Sequence, residues 1–422
     1  MIELKNLVIP PSVRGFESAA ENFDIRIENG LLSDIKPAAS VDPSRPSHRT
    51  QPRGGMLIPA LADLHVHLDK TYVVQQMGAV DGDLFKAITL MAEHRENWSG
   101  ADIYRRMERA LQNAYANGTR ALRTHLDWPR PVAPRSLAEF EKLRHLWHGR
   151  MLLQCVALTP LDEFTPGGAS NTDTGEHIAW QLAGLNKRSD ARSGETALLG
   201  AFVYRNDNLY EKLQRVFDLA ARYNLHLDFH VDEGLDHDAC GLRAIAELTL
   251  QNAFQGKVTC GHACSLSMQN LTLAQQTLRL CSSAGINLVA LPTTNLYLQG
   301  AWDQTPVERG LTRLKEATAL QVSTSIATDN VADGFYPYGS YDLMDTFALG
   351  VQVGHLSPAD DWLLAISIRP ATAMGLPWEG KITPGCPADF ILLAAHDRYE
   401  LMTPTGRQRR VIRHGKFLDQ NA

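Results

Sequence analysis

The 422-residue chain has no apolar run near the ~18 residues that cross a bilayer, so no membrane partner is expected. Charge is mixed in sign and sums to -6, and no basic stripe is present, so nucleic acid is not an expected partner either. Cysteine is sparse. Cys155, Cys240, Cys260, Cys264, Cys281 and Cys386 are scattered through the chain, which argues for free thiols over a disulfide framework. Cys260 and Cys264 lie close enough to suggest half a metal site, but no second pair accompanies them, and packing thiols are the expectation. Pro-Cys-x-x-Cys and His-Glu-x-x-His are both missing, which excludes the zinc chemistries built on those motifs. The first ten residues lack a charged segment followed by a long apolar one, so no secretory leader is expected and the cytoplasm is the expected location.

What is present is an ordinary globular composition, 44% hydrophobic and 21% charged, over a length too great for one average domain. Asp24–Glu28 and Leu31–Ile35 alternate around Asn29-Gly30, which predicts a β-hairpin. Val41–Gly55, rich in Ser, Pro, Arg and Gly, reads as an exposed loop. Short β segments return at Asp389–Leu393, Arg410–Arg413 and Gly415-Lys416. Neither end suffices alone, so residues 1–58 and 378–422 are expected to form one small β-sandwich domain. Between them, residues 59–377 alternate strand-like and helix-like stretches. The strands are Leu61–His67, Thr119–Asp127, Met151–Thr159, Leu198–Arg205, Leu225–Glu233, Lys257–Cys264, Ile286–Thr294 and Val322–Asn330. Amphipathic stretches include Leu84–Asn97, Ile103–Asn117, Leu209–Tyr223, Leu273–Ala284 and Pro306–Ala319, with Tyr341–Val353 and Ala359–Ala373 after the last strand. Eight strands with intervening helices predict an α/β fold, a (β/α)8 TIM barrel; a doubly wound open sheet is the alternative.

Chemistry-bearing residues gather at the C-terminal ends of these strands, where a barrel places its active site. Strand one ends in His65-Val66-His67, whose alternation puts both imidazoles on one face. Strand five ends His230-Val231-Asp232-Glu233, strand six Gly261-His262, and strand eight Thr328-Asp329-Asn330. Each alone has a bland reading as a satisfied core histidine or a turn; their joint placement does not.

With these motifs the chain resembles the amidohydrolase superfamily, in particular cytosine deaminase and relatives such as N-isopropylammelide amidohydrolase. Arg123-Thr124-His125-Leu126-Asp127, Asn295-Leu296-Tyr297-Leu298-Gln299-Gly300, Tyr336-Pro337-Tyr338-Gly339 and Gly380–Asp389 continue the likeness over nearly the whole chain. The resemblance implies that His65, His67, His230 and Asp329 hold one divalent metal, Zn or Fe, with a position left for water. Such a metal lowers the pKa of water from about 15.7 to about 7. It further implies Glu233 as the proton shuttle, His262 as the group that orients the attacking water, and Asp329 as both ligand and proton acceptor. Two-metal relatives use a lysine at the end of strand four; Phe202-Val203-Tyr204-Arg205 offers none and Lys187 is too far upstream, so one metal per subunit is expected. Glu233 lies three residues beyond His230, so the chain must turn after Val231 for both to face inward.

The likeness has gaps. The glutamine that reads the cytosine amide edge is missing from Val156–Leu161, the second acidic residue after the metal aspartate is Asn330, and the loop tryptophan is replaced by Phe335. A site that loses such donors changes specificity. The expected activity is hydrolytic C–N cleavage, deamination of a pyrimidine, triazine or pterin-like ring other than cytosine. Hydrolysis of a cyclic or linear amide is the alternative, and a catalytically silent relative kept for binding or scaffolding is opposed by the complete ligand set. Asn295, Gln299, Phe335, Tyr72, Asn330 and His125 are the substrate-contact candidates, His125 standing equally for a structural hydrogen bond. Asp69 and Lys70 are expected to pair with each other, Asp127 and Asp232 to support or cap, and Trp128 and Trp302 to pack. The loop from Phe335 to Tyr341, with Gly334 and Gly339, is a candidate lid, a point the sequence leaves open. Relatives are often homo-oligomers, and the sequence identifies no interface.

Overall fold

The computed structural model describes residues 1–38, 54–78, 80, 83–165, 174–188 and 194–419. From the N-terminus come β1 (Ile2–Val8), β2 (Asn22–Glu28), β3 (Leu31–Pro37) and β4 (Met56–Pro59). Asn29 and Gly30 both take positive φ, 52° and 78°, the turn that matches the twist of a two-residue hairpin. Then follow β5 (Leu61–Val66), β6 (Thr119–Asp127), β7 (Leu152–Pro160), β8 (Ala197–Val203), β9 (Leu227–Val231), β10 (Val258–His262), β11 (Asn287–Ala290) and β12 (Ser323–Ile326). The chain closes with β13 (Phe390–Leu393), β14 (Arg409–Arg413) and β15 (Lys416–Phe417).

β5 to β12 form one eight-stranded parallel sheet in sequence order. Burial is continuous along β5, β9 and β10, as expected where helices cover one face and the barrel interior the other. First and last strands meet through a single bridge, Val66 to Asp329, with the Asp329 N–H donating to His65 O at 2.9 Å. Asp63 reinforces the join by accepting from the Thr328 hydroxyl at 2.6 Å. The other seven strands make a separate sheet from both chain ends, in the order β15-β14-β13-β4-β1-β2-β3. Its two edges approach at Ala388, whose N–H donates to Gly30 O and whose carbonyl accepts from Gly415 N. Among the described residues no helix is long and apolar enough to cross a membrane.

Several predicted bounds are corrected; the eighth barrel strand ends at Ile326, not Asn330. The seventh barrel strand ends at Ala290, not Thr294, because Pro292 has no N–H to give a ladder and instead opens the helix Pro292–Leu298. Of the predicted helix Pro306–Ala319 only Leu314–Ala319 is helical. The loop expected at Val41–Gly55 lies outside the described residues apart from Gly54 and Gly55, and Gly55 is buried and accepts from Val8 N.

Candidate active site

The strand ends bring four donor atoms to one point. His230 Nε2 lies 3.2 Å from both His65 Nε2 and His67 Nε2; Asp329 Oδ1 lies 3.2 Å from His67 Nε2 and 3.5 Å from His65 Nε2. Ligands about 2.0–2.1 Å from a tetrahedral zinc stand roughly 3.3 Å apart, so this spacing fits a small divalent cation. Both Asp329 oxygens and the Nδ1 atoms of His65, His67 and His230 are buried without a hydrogen-bond partner, a cost that a cation would offset at the carboxylate. Burial holds all three imidazoles well below their ordinary pKa, keeping lone pairs free for a metal.

The backbone explains the convergence. The β5–β6 register shifts between Asp63 and Val66, a bulge beside the histidine pair. β9 ends at Val231, and Asp232 then takes φ 49°, the turn that the spacing of His230 and Glu233 requires. Asp232 is held there because its carboxylate accepts from Gly241 N and Leu242 N, capping the helix Gly241–Gln251. His262 (φ 68°) and Asp329 (φ 62°) also sit in the left-handed region; non-glycine residues there store strain that clusters at functional sites.

Glu233 is thereby turned inward, its Oε1 3.3 Å from His262 Nδ1. Burial, and then the nearby Asp329, push its carboxyl well above the ordinary range. Asn295 Nδ2 lies 3.1 Å from the same His262 nitrogen, and Gln299 Nε2 reaches Glu233 O at 3.5 Å. Phe335 is buried with the Lys70 ammonium 5.1 Å over its ring. Asn330 donates its Nδ2 to Asp333 at 2.7 Å. His125 stacks on His65 at 3.9 Å and bonds Asp228 at 3.1 Å, which engages its Nε2 structurally. Tyr72 turns its hydroxyl to Asn113 Nδ2 and its ring under Arg109, toward the helix Gly100–Ala116.

Lys70 does not pair with Asp69 as expected: its ammonium lies 2.7 Å from Asp127, which also takes Arg95, while Asp69 accepts from Asp127 N. Burial opposes the charge on Asp127, but Lys70 and Arg95 outweigh it and hold the carboxyl at about 2. The candidate lid carries several hydrogen bonds. Asp333 accepts from Phe335 N and Tyr336 N, Ala332 N donates to Tyr338 O, and Val331 O accepts from Tyr72 N and the Thr71 hydroxyl. Trp128 is buried, and Trp302 is exposed with its ring against Tyr297. The six cysteines are free, only Cys240 being exposed. Sequence reasoning missed Asp63, Asp333 and the buried Arg123–Asp228 pair at 2.7 Å, which Gln154 and Thr259 complete. Arg123 had a motif signal; the others had none.

A parallel barrel with buried imidazoles and a carboxylate gathered at its strand ends has the donor set for a divalent cation. The chain belongs to the Amidohydrolase family, which residues 192–418 match, and it acts on carbon–nitrogen bonds. It is 37% identical to the pterin deaminase of Rhizobium rhizogenes (strain K84), over 99% of this chain and 94% of that one. It is 19% identical to N-isopropylammelide isopropyl amidohydrolase of Pseudomonas sp. (strain ADP), over 94% and 98%. In fold it is similar to 5-methylcytosine deaminase of Klebsiella pneumoniae, with a TM-score of 0.81 at 24% identity over 99% and 98% of the chains.

Proposed function

We propose that the enzyme hydrolytically deaminates a pterin-like nitrogen heterocycle on a single divalent metal. The exocyclic C–N bond breaks, a C–O bond from water replaces it, and ammonia leaves. The observation that carries this reading is the convergence of His65, His67, His230 and Asp329 on one buried point. Full-length likeness to a pterin deaminase supports the substrate class. These four residues would hold zinc or iron, to which imidazole and carboxylate are suited. When bound, the metal supplies a nucleophile at neutral pH by lowering the pKa of water to about 7.

Glu233 takes one proton from the attacking water and gives it to the ring nitrogen; the second water proton, taken up by Asp329, goes to the departing amine, which leaves as ammonia. Burial raises the Glu233 carboxyl well above its ordinary range, which suits it to hold a proton and give it back. His262 hydrogen-bonds the oxygen that attacks. Gln299, Phe335 and Asn330 are assigned contacts with the ring, Asn295 acts through His262, and Lys70 sets a positive charge beside Phe335. Residues 59–377 form the catalytic unit, with 1–58 and 378–422 as its accessory β unit.

Zinc- and iron-loaded enzyme should be offered pterins, cytosine, triazines and purines while ammonia and the keto product are measured. Ammonia from a pterin and not from cytosine is expected. A metal-loaded enzyme that releases no ammonia from any ring, yet opens a cyclic amide, would transfer the assignment to amide hydrolysis.

A further inference from the structure

We propose that Asn295 is a positioning residue that fixes the tautomer of His262, making this imidazole present an Nε2–H donor, not a lone pair, to the reacting groups. The inference rests on the deaminase reading above. Asn295 lies on the helix Pro292–Leu298 just beyond β11, is buried, and directs Nδ2 at His262 Nδ1 over 3.1 Å. An amide N–H can only donate, so Nδ1 must keep its lone pair. A neutral imidazole has one N–H, which is then left to Nε2. Nε2 is buried and without a partner, and its ring stands 4.8 Å from the His230 ring and 5.2 Å from that of His65. It is the free end of the ring.

Glu233 shares this logic. Its Oε1 approaches the same Nδ1 at 3.3 Å. When Glu233 carries a proton, the bare nitrogen accepts its O–H; when ionised, the carboxylate faces a lone pair, which favours taking the proton back. The ring has little room to turn, because it is buried with the His230 ring 4.8 Å and the His65 ring 5.2 Å away. Labour is thus divided. His262 stabilises negative charge on oxygen by donating, and the proton itself travels on Glu233.

Histidine-selective 15N NMR of the zinc-loaded enzyme tests this, with His262→Gln assigning the signals. A bare, pyridine-like Nδ1 and a protonated, pyrrole-like Nε2 are expected; the reverse, or two protonated nitrogens, overturns the proposal. Kinetics on the accepted substrate give a second reading. Asn295→Asp keeps the side-chain size but replaces the donor by an acceptor, drawing the proton to Nδ1 and stripping Nε2. Its kcat should fall about 10²-fold or more, with KM within about threefold and metal content unchanged. Asn295→Ala removes the donor without imposing the wrong tautomer and should lose less. If Asn295 merely fills space, the near-isosteric aspartate is the milder change, and that order refutes the proposal. Should no pterin or other ring be deaminated, the deaminase reading fails, while the NMR still decides the tautomer.

Discussion

Replacing Gly261 by alanine tests whether the donor cluster depends on the exact seat of His65. A Cβ at this position falls 2.8 Å from His65 Cε1 and 2.9 Å from His65 Nδ1. Carbon contacts are comfortable only at about 3.5–4.0 Å, so the imidazole must retreat by roughly 0.7–1 Å. It has little room. The ring is stacked on His125 at 3.9 Å, His125 is tied to Asp228 at 3.1 Å, and the His65 carbonyl holds Asp329 N at 2.9 Å. Overpacking of this kind costs about 1–3 kcal/mol, which a folded domain survives. The site suffers more, because a misplacement of about 1 Å lowers turnover by around 10²-fold. The variant should therefore fold, with a modest fall in melting temperature, while metal affinity from competition with a chelator drops about 10- to 100-fold. Wild-type metal affinity with turnover within threefold or so would mean that His65 does not belong to the working donor set.

Other perturbations separate the remaining roles. Glu233→Gln should keep about one metal per chain yet lose about 10²–10⁴ in rate; near-normal turnover would remove Glu233 as proton carrier. Asp329→Ala should lower metal content, measured by elemental analysis after reconstitution, and abolish ammonia release; undiminished metal would take this carboxylate out of the ligand set. Asp127 sits below its ordinary pKa of 3.8, at about 2 in the folded state. Its stabilising share is thus complete above about pH 4 and is lost as pH falls toward 2. Asp127→Asn should flatten the loss of stability over that window in acid titrations followed by circular dichroism, and an unchanged acid limb would contradict the pairing with Lys70 and Arg95.

Local pattern carried much of this far, and long-range pairing marks where it stops. The alternation of His65 and His67 and the strand-end positions of His230 and His262 are set by strand periodicity, and Asp329 follows three residues after the eighth strand, so the eight barrel strands and their convergence could be read directly. Even the turn at Asp232 followed from counting residues between His230 and Glu233. Lys70 shows the limit: its nearest charge in sequence is Asp69, yet the neighbouring strand delivers Asp127, and no local signal tells which carboxylate will win. The Phe335 loop shows another limit. Its glycines suggested motion, but Asp333, an unremarked acid in the sequence, gathers two backbone N–H groups and Asn330 into a fixed turn. Pro292 was in plain view, and reading its missing N–H would have ended the seventh strand on time.

The ring of eight strands has one weak joint, where β5 and β12 share a single bridge at the very residues that gather the donors. His65 and His67 stand on one side of that joint, Asp329 on the other, and His230 across the mouth. A cation held as proposed would act as the buckle of a hoop, adding a tie to the bridge and to the Asp63–Thr328 hydrogen bond already there. Chelation should then do more than stop chemistry: limited proteolysis near β5 and β12 should run faster on the metal-free enzyme than on the metal-loaded one.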